Sequence, residues 1–112
     1  MRDAASFLPL SPQQFHILLA LSDQERHGYG IILDIAERTD GALRLGTGTL
    51  YTAIGRLVTL ALIVDSDREH DRRRYYRVTP LGRAVLRAET ARLENLVKYA
   101  RAKRVPSTGS RQ

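Results

Sequence analysis

Two stretches of the chain carry side chains able to do chemistry. The first is Gly46-Thr47-Gly48-Thr49-Leu50-Tyr51-Thr52, with Arg56 one turn further on. Its glycines let a backbone come close to a phosphate, its threonines offer hydroxyl donors, and a guanidinium pairs bidentately with guanine. The second stretch holds Arg68, His70, Arg72, Arg73 and Arg74, with Arg77 following. Clustered arginines neutralise phosphates, and each neutralised phosphate steepens the salt dependence of binding by about 0.9 log units per log unit of salt. The chemistry on offer is recognition of a polyanion. The candidate contacts are Thr47, Gly48, Thr49, Tyr51, Thr52, Arg56, Arg68, Arg72, Arg73 and Arg74.

Each stretch also has a plainer reading. Gly46 and Gly48 suit an ordinary loop, and Asp65, Asp67, Glu69 and Asp71 alternate with the arginines, so that run is able to pair with itself as a solvated loop. Arg72-Arg73-Arg74, where the acids stop, is the part assigned to phosphate.

Catalytic chemistry has less to work with. His16, His27 and His70 lack the paired i, i+4 spacing of a metal site, and the chain has no cysteine. Ser6, Ser11, Ser22 and Ser66 have no nucleophile-elbow context, and Gly28 and Gly30 precede a helix without a preceding strand. Carboxylates are expected only on exposed loops or helix faces. No enzyme activity, metal or cofactor is expected.

The elements that must position the arginines and threonines are legible in order. Ser11-Pro12-Gln13-Gln14 is a capping box with proline at the first helical position, so a first helix runs from about Pro12 to Ser22. A second follows His27-Gly28-Tyr29-Gly30 through Ile31, Ile32, Ile35 and Ala36, and stops near Thr39 before Asp40-Gly41. Asp34 and Arg38 stand one turn apart on its polar side, and Tyr29 is expected to pack it against the third helix, the alternative being that it lines an effector site. The third begins near Thr47, whose hydroxyl is expected to cap it, and buries Leu50, Ile54, Leu57 and Val58. Its outward residues are then Thr49, Thr52, Ala53 and Arg56.

Beyond Leu60-Ala61 the periodicity changes. Leu62-Ile63-Val64 and Tyr75-Tyr76-Arg77-Val78 read as two strands joined by the charged loop, with Tyr76 and Val78 facing the core. Thr79-Pro80 restarts a helix that persists to about Lys103. Leu81, Val85 and Ala88 face the domain; Leu86, Leu93, Leu96, Val97 and Ala100 form a second apolar line that wants a partner. The tail from Val105 reads as disordered.

This order makes a mainly α (α+β) winged helix-turn-helix with a two-stranded β-hairpin wing and a long C-terminal dimerisation helix. Residues 1–79 form the DNA-binding domain, 80–104 the dimerisation helix and 105–112 the tail. At 112 residues, 43% hydrophobic and 27% charged, the chain has the bulk of one ordinary globular domain, and its net charge of +6 favours an anionic partner. No segment is apolar for long enough to span a bilayer, and no helix combines a basic face with a bulky apolar one, so no membrane role is expected. The N-terminus does not resemble a signal peptide, and the lack of cysteine fits a cytoplasmic protein.

The combination His27-Gly28-Tyr29-Gly30-Ile31-Ile32, Gly46-Thr47-Gly48-Thr49-Leu50-Tyr51 with Arg56-Leu57, Leu60-Ala61-Leu62-Ile63, and Arg72 through Arg83 resembles the PadR family of bacterial transcriptional regulators. The resemblance runs from about Leu18 to Leu93. It implies a homodimeric winged-helix protein, most often a repressor, that binds double-stranded DNA at a pseudo-palindromic operator through dimerisation by its C-terminal helix. For some members it also implies release by a small hydrophobic or phenolic effector near the dimer interface. Thr52 departs from the proline common after the family's recognition-helix tyrosine. The single C-terminal helix matches the smaller subgroup, and the absence of tryptophan removes the indole stacking that some multidrug-binding members use. The alternatives are a winged-helix protein-interaction module and a nonspecific nucleic-acid binder.

Overall fold

A computed structural model describes residues 3–70 and 72–104, and at positions 69 and 70 the backbone only. The expected tail from Val105 lies outside the described residues. Helix α1 spans Pro12–Ser22 with the capping box in place: the Ser11 hydroxyl accepts the Gln14 amide and the Gln14 side chain accepts the Ser11 amide, each at 3.1 Å. Strand β1, Arg26–His27, is followed without a break by α2, Gly28–Arg38. Helix α3 covers Thr47–Thr59, strands β2 and β3 cover Ile63–His70 and Arg73–Val78, and α4 runs Pro80–Ala102.

The three strands form an antiparallel sheet in the order β1-β3-β2. Sequence periodicity missed β1, because two residues inside a polar stretch carry no alternation. Arg26 and His27 pair with Tyr76 and Tyr75, which fixes the start of α2 against the base of the wing. The charged run is mostly strand rather than loop. His70 pairs with Arg73, Arg72 has φ +62°, and a register shift between Asp65 and Glu69 interrupts the β2–β3 ladder.

One core joins all the elements. Ile17, Leu18 and Leu21 of α1 meet Ile31 and Ile35 of α2, Leu50, Ile54 and Leu57 of α3, Ile63 and Tyr76 of the sheet, and Val85 of α4. Val78 is buried with Tyr76, as strand alternation predicts. The end of α3 closes with a Schellman pattern: Leu62 N–H reaches the Leu57 carbonyl at 3.0 Å and Ala61 N–H the Val58 carbonyl at 2.9 Å, with Ala61 in the left-handed region at φ +63°. Helix α4 then presses close to the chain before β2, since a Cβ on Gly82 would collide with the Leu62 carbonyl oxygen.

Four side-chain expectations change. Ala53 faces the core and Val58 is exposed, because the buried stripe of α3 is Leu50, Ala53, Ile54 and Leu57, and one further residue rotates Val58 out of it. Tyr29 is 54% exposed rather than packed; α2 buries Gly28, Ile31, Ile35 and Ala36, and Tyr29 lies off that line. Leu86, expected on the uncovered line of α4, is only 9% exposed and belongs to the core, as the domain covers α4 as far as Glu89.

Candidate nucleic-acid interface

Helix α3 begins without a side-chain cap. Gly46 is the N-cap and makes no side-chain bond, so Thr47 is the first helical residue rather than the cap. Its hydroxyl is thereby left for an outside partner. Thr47, Gly48, Thr49, Tyr51, Thr52 and Arg56 are all exposed, as is Gly55 between the last two turns. A Cβ at Gly46, Gly48 or Gly55 would meet nothing within 4 Å. These glycines are thus not required by packing within the subunit, and in a helix interior Gly is roughly 1 kcal/mol worse than Ala.

A groove of about 880 Å³ runs along one flank of α3, where Gly48, Thr49, Thr52, Ala53 and Arg56 face Pro9, Leu10, Ser11, Gln13 and Gln14. The hydroxyls and guanidinium of α3 therefore share a recess with two amide side chains from the start of α1. Sequence reasoning missed Gln13 and Gln14 as neighbours because only the tertiary packing brings them there.

On the other flank, Tyr51 lines a cavity of about 650 Å³ together with His27, Gly28, Tyr29, Arg72, Arg73, Arg74 and Tyr76. The three consecutive arginines are therefore brought to the start of α2 and to α3. His27 caps α2, its Nδ1 accepting the Gly30 amide at 3.0 Å, and its Nε2 lies 3.1 Å from Arg73 Nη1. The Arg73 guanidinium also sits 5.8 Å from the centre of the Tyr29 ring. Arg68 is not part of this group; it stacks over the Tyr75 ring at 4.3 Å. Arg74 pairs with Asp65 at 3.0 Å and Arg77 with Glu25 at 3.8 Å, so part of the basic run is compensated, as the self-pairing reading anticipated.

The distal half of α4 is the other open surface. Leu96 and Val97 are 48% and 49% exposed, Tyr99 is more exposed still, and Leu93 and Ala100 are half-buried. Leu93 and Val97 line a mainly apolar groove of about 580 Å³ with Phe15 of α1 and Thr90, Glu94, Lys98 and Arg101. One carboxylate breaks the expectation that acids stay on the surface. Glu89 is buried, accepting the Leu10 amide at 2.9 Å and bonded by Arg92 at 2.5 and 3.0 Å. The Arg92 hydrogen bonds hold it below the usual carboxylate range against the opposing effect of burial, with the Leu10 amide helping.

Helices α1 to α3 around one core, with a basic hairpin beside an exposed third helix, define a winged helix-turn-helix module of the DNA-binding class. The chain matches the model of the Transcriptional regulator PadR-like family over residues 17–88. It is 36% identical over 87 residues to a transcriptional regulator of Mycobacterium tuberculosis, covering 76% of this chain and 78% of that one. A solved transcriptional regulator from Clostridium thermocellum superposes with a TM-score of 0.72 at 32% identity, over 84% of this chain and 90% of that one. A PadR family regulator from Clostridium difficile shares the fold with a TM-score of 0.68 at 23% identity, over 82% and 97% of the two chains. The chain belongs to the PadR-like family: it is a DNA-binding transcriptional regulator and not an enzyme.

Proposed function

We propose that the protein acts in the cytoplasm as a homodimeric repressor that reads a pseudo-palindromic operator. The observation that carries this reading is the pair of open surfaces at opposite roles in the fold: the outer face of α3 from Thr47 to Arg56, and the apolar line Leu93, Leu96, Val97 and Ala100 on α4. Two subunits joined along α4 hold two copies of α3 at a fixed separation, about 34 to 36 Å when they enter successive major grooves on one side of the duplex. Thr52 and Arg56 are assigned to base edges, and Thr47, Gly48, Thr49, Arg72, Arg73 and Arg74 to backbone contacts, with Arg68 held back on Tyr75 until the wing meets DNA.

A small hydrophobic or phenolic effector fits this scheme if it binds where the α4 helices meet and favours one relative orientation of the two reading heads. The apolar groove bounded by Phe15, Leu93 and Val97 supports that location. Residues 1–79 then act as the reading unit and 80–104 as the coupling helix, whose first turns are shared with the core.

Sedimentation at micromolar concentration, paired with a mobility shift on DNA from the protein's own promoter, tests the reading. A dimer that keeps its shift against excess unrelated DNA supports it. A monomer overturns the dimer, and equal competition by unrelated DNA at moderate salt overturns sequence-specific reading in favour of a nonspecific binder or a protein-interaction module.

A further inference from the structure

We propose that the cavity beside Tyr51, at the junction of α2 and β3, receives one phosphate of the DNA backbone, with Tyr29 holding Arg73 ready for it and the His27 Nε2–H group as a second donor beside that guanidinium. The proposal rests on the DNA-binding role above and deepens it, since neither His27 nor Tyr29 was expected to take part.

The lining chemistry selects an anion. Arg72, Arg73 and Arg74 contribute guanidinium groups, Tyr29 and Tyr51 contribute phenols, and among the described residues no carboxylate lines the cavity. Arg74 already has Asp65, whereas Arg72 and Arg73 have no carboxylate partner among the described residues. A fork of N–H donors matches the geometry of phosphate oxygens.

Arg73 is also held in position. Its place by the Tyr29 ring restrains a side chain that would otherwise sample many rotamers. Because His27 Nδ1 accepts the Gly30 amide, its Nε2 carries the proton, so Nε2–H and the Arg73 Nη1–H group 3.1 Å away are two donors that a shared acceptor oxygen satisfies. Restraint before binding lowers the ordering cost when the ligand arrives. Tyr51 is placed from the other wall. Its hydroxyl lies so close to Gly28 that a Cβ there would collide with it, so the phenol reaches across to the first turn of α2.

The position favours a phosphodiester over a free ion. Tyr51 precedes Thr52 in the exposed face of α3, so the cavity adjoins the surface assigned to base edges, and the strand whose bases meet that surface must carry its backbone past one flank.

The test scans a bound duplex with neutral methylphosphonate linkages, one position at a time, and compares the full-length wild type with Arg73→Ala, Tyr29→Leu and Tyr51→Phe, each checked for an unchanged melting profile. In the wild type, one linkage per half-site should cost roughly tenfold in affinity. That cost should fall to about twofold in Arg73→Ala and shrink partly in Tyr29→Leu and Tyr51→Phe, while the cost at every other linkage stays the same. Equal losses at all linkages in the variants would overturn the site, as would binding of inorganic phosphate at the cavity without any linkage-specific coupling to DNA. On a duplex of arbitrary sequence, where no register is fixed, the readout is the salt slope, which Arg73→Ala should lower by about 0.9. A protein that selects no sequence but shows that drop in salt slope would contradict specific reading and keep the phosphate contact of Arg73.

Discussion

Glu89 of α4 accepts the backbone N–H of Leu10 at 2.9 Å, joining two residues 79 positions apart. The carboxylate is 2% exposed and takes its charge balance from Arg92, three residues on along the same helix. Through this bond the N-terminal segment is fastened to α4, and Ser11, Gln13 and Gln14, which follow it, form the wall facing Thr49, Thr52 and Arg56. One buried acid therefore links the helix proposed for dimerisation with the groove beside the helix proposed to read DNA.

Its loss should be measurable as stability. Glu89→Ala leaves the Leu10 amide buried without its acceptor, which should cost about 1 to 3 kcal/mol in chemical denaturation. Because the folded-state pKa of Glu89 is depressed, its contribution is fully present above the ordinary value of 4.5 and is lost as pH falls through the lower folded value. Stability of the wild type should therefore drop below about pH 4.5 more steeply than that of Glu89→Gln, whose side chain does not titrate. Parallel curves for the two proteins would contradict the assignment.

Two glycines should respond oppositely to the same change. Gly55→Ala adds a methyl to open space on α3 and should raise stability by about 0.5 to 1 kcal/mol while weakening DNA binding, if the bare backbone there is needed for close approach. Gly82→Ala drives a Cβ into the Leu62 carbonyl and should destabilise by about 1 to 3 kcal/mol. Thermal melts of both variants, with a binding isotherm for the first, check the pair.

Arg56 and Arg73 should separate reading from grip. Arg56→Ala should weaken the preferred site by about 1 to 3 kcal/mol and leave nonspecific binding nearly unchanged. Arg73→Ala should weaken all sequences alike and flatten the dependence on salt. Titrations at several salt concentrations on cognate and scrambled duplexes distinguish the two outcomes.

Val97→Glu tests the α4 seam. Val97 is half exposed in the single subunit, so the substitution should leave the melting of the isolated subunit nearly unchanged. In a dimer it buries an unpaired charge and should weaken association by about 1 to 3 kcal/mol or more per subunit. Sedimentation across a concentration series measures the shift toward monomer.

The helices were legible because their ends are written locally. Ser11 with Gln14, Thr79 with Pro80, and Asp40-Gly41 fixed three boundaries from short-range chemistry alone. Strand β1 was hidden because Arg26 and His27 are strand only through their pairing with Tyr76 and Tyr75. The basic run and the exposed start of α3 were visible as residue types, but their division was not. Which arginine meets Asp65, which lies on Tyr75 and which reaches His27 depends on the register shift between β2 and β3 and on contacts far apart in sequence. Leu86 illustrates the same limit on α4, since apolar spacing marks a face without saying how far the domain covers it.

Selection of bound DNA from a random pool by the full-length protein is the most direct measurement of the central claim. A dimer joined along α4 should enrich an inverted repeat whose half-site centres lie about 10 to 10.5 base pairs apart, or a multiple of that spacing. Enrichment of an unpaired half-site, or no enrichment at all, would contradict a dimer that presents two copies of α3 to one face of the duplex.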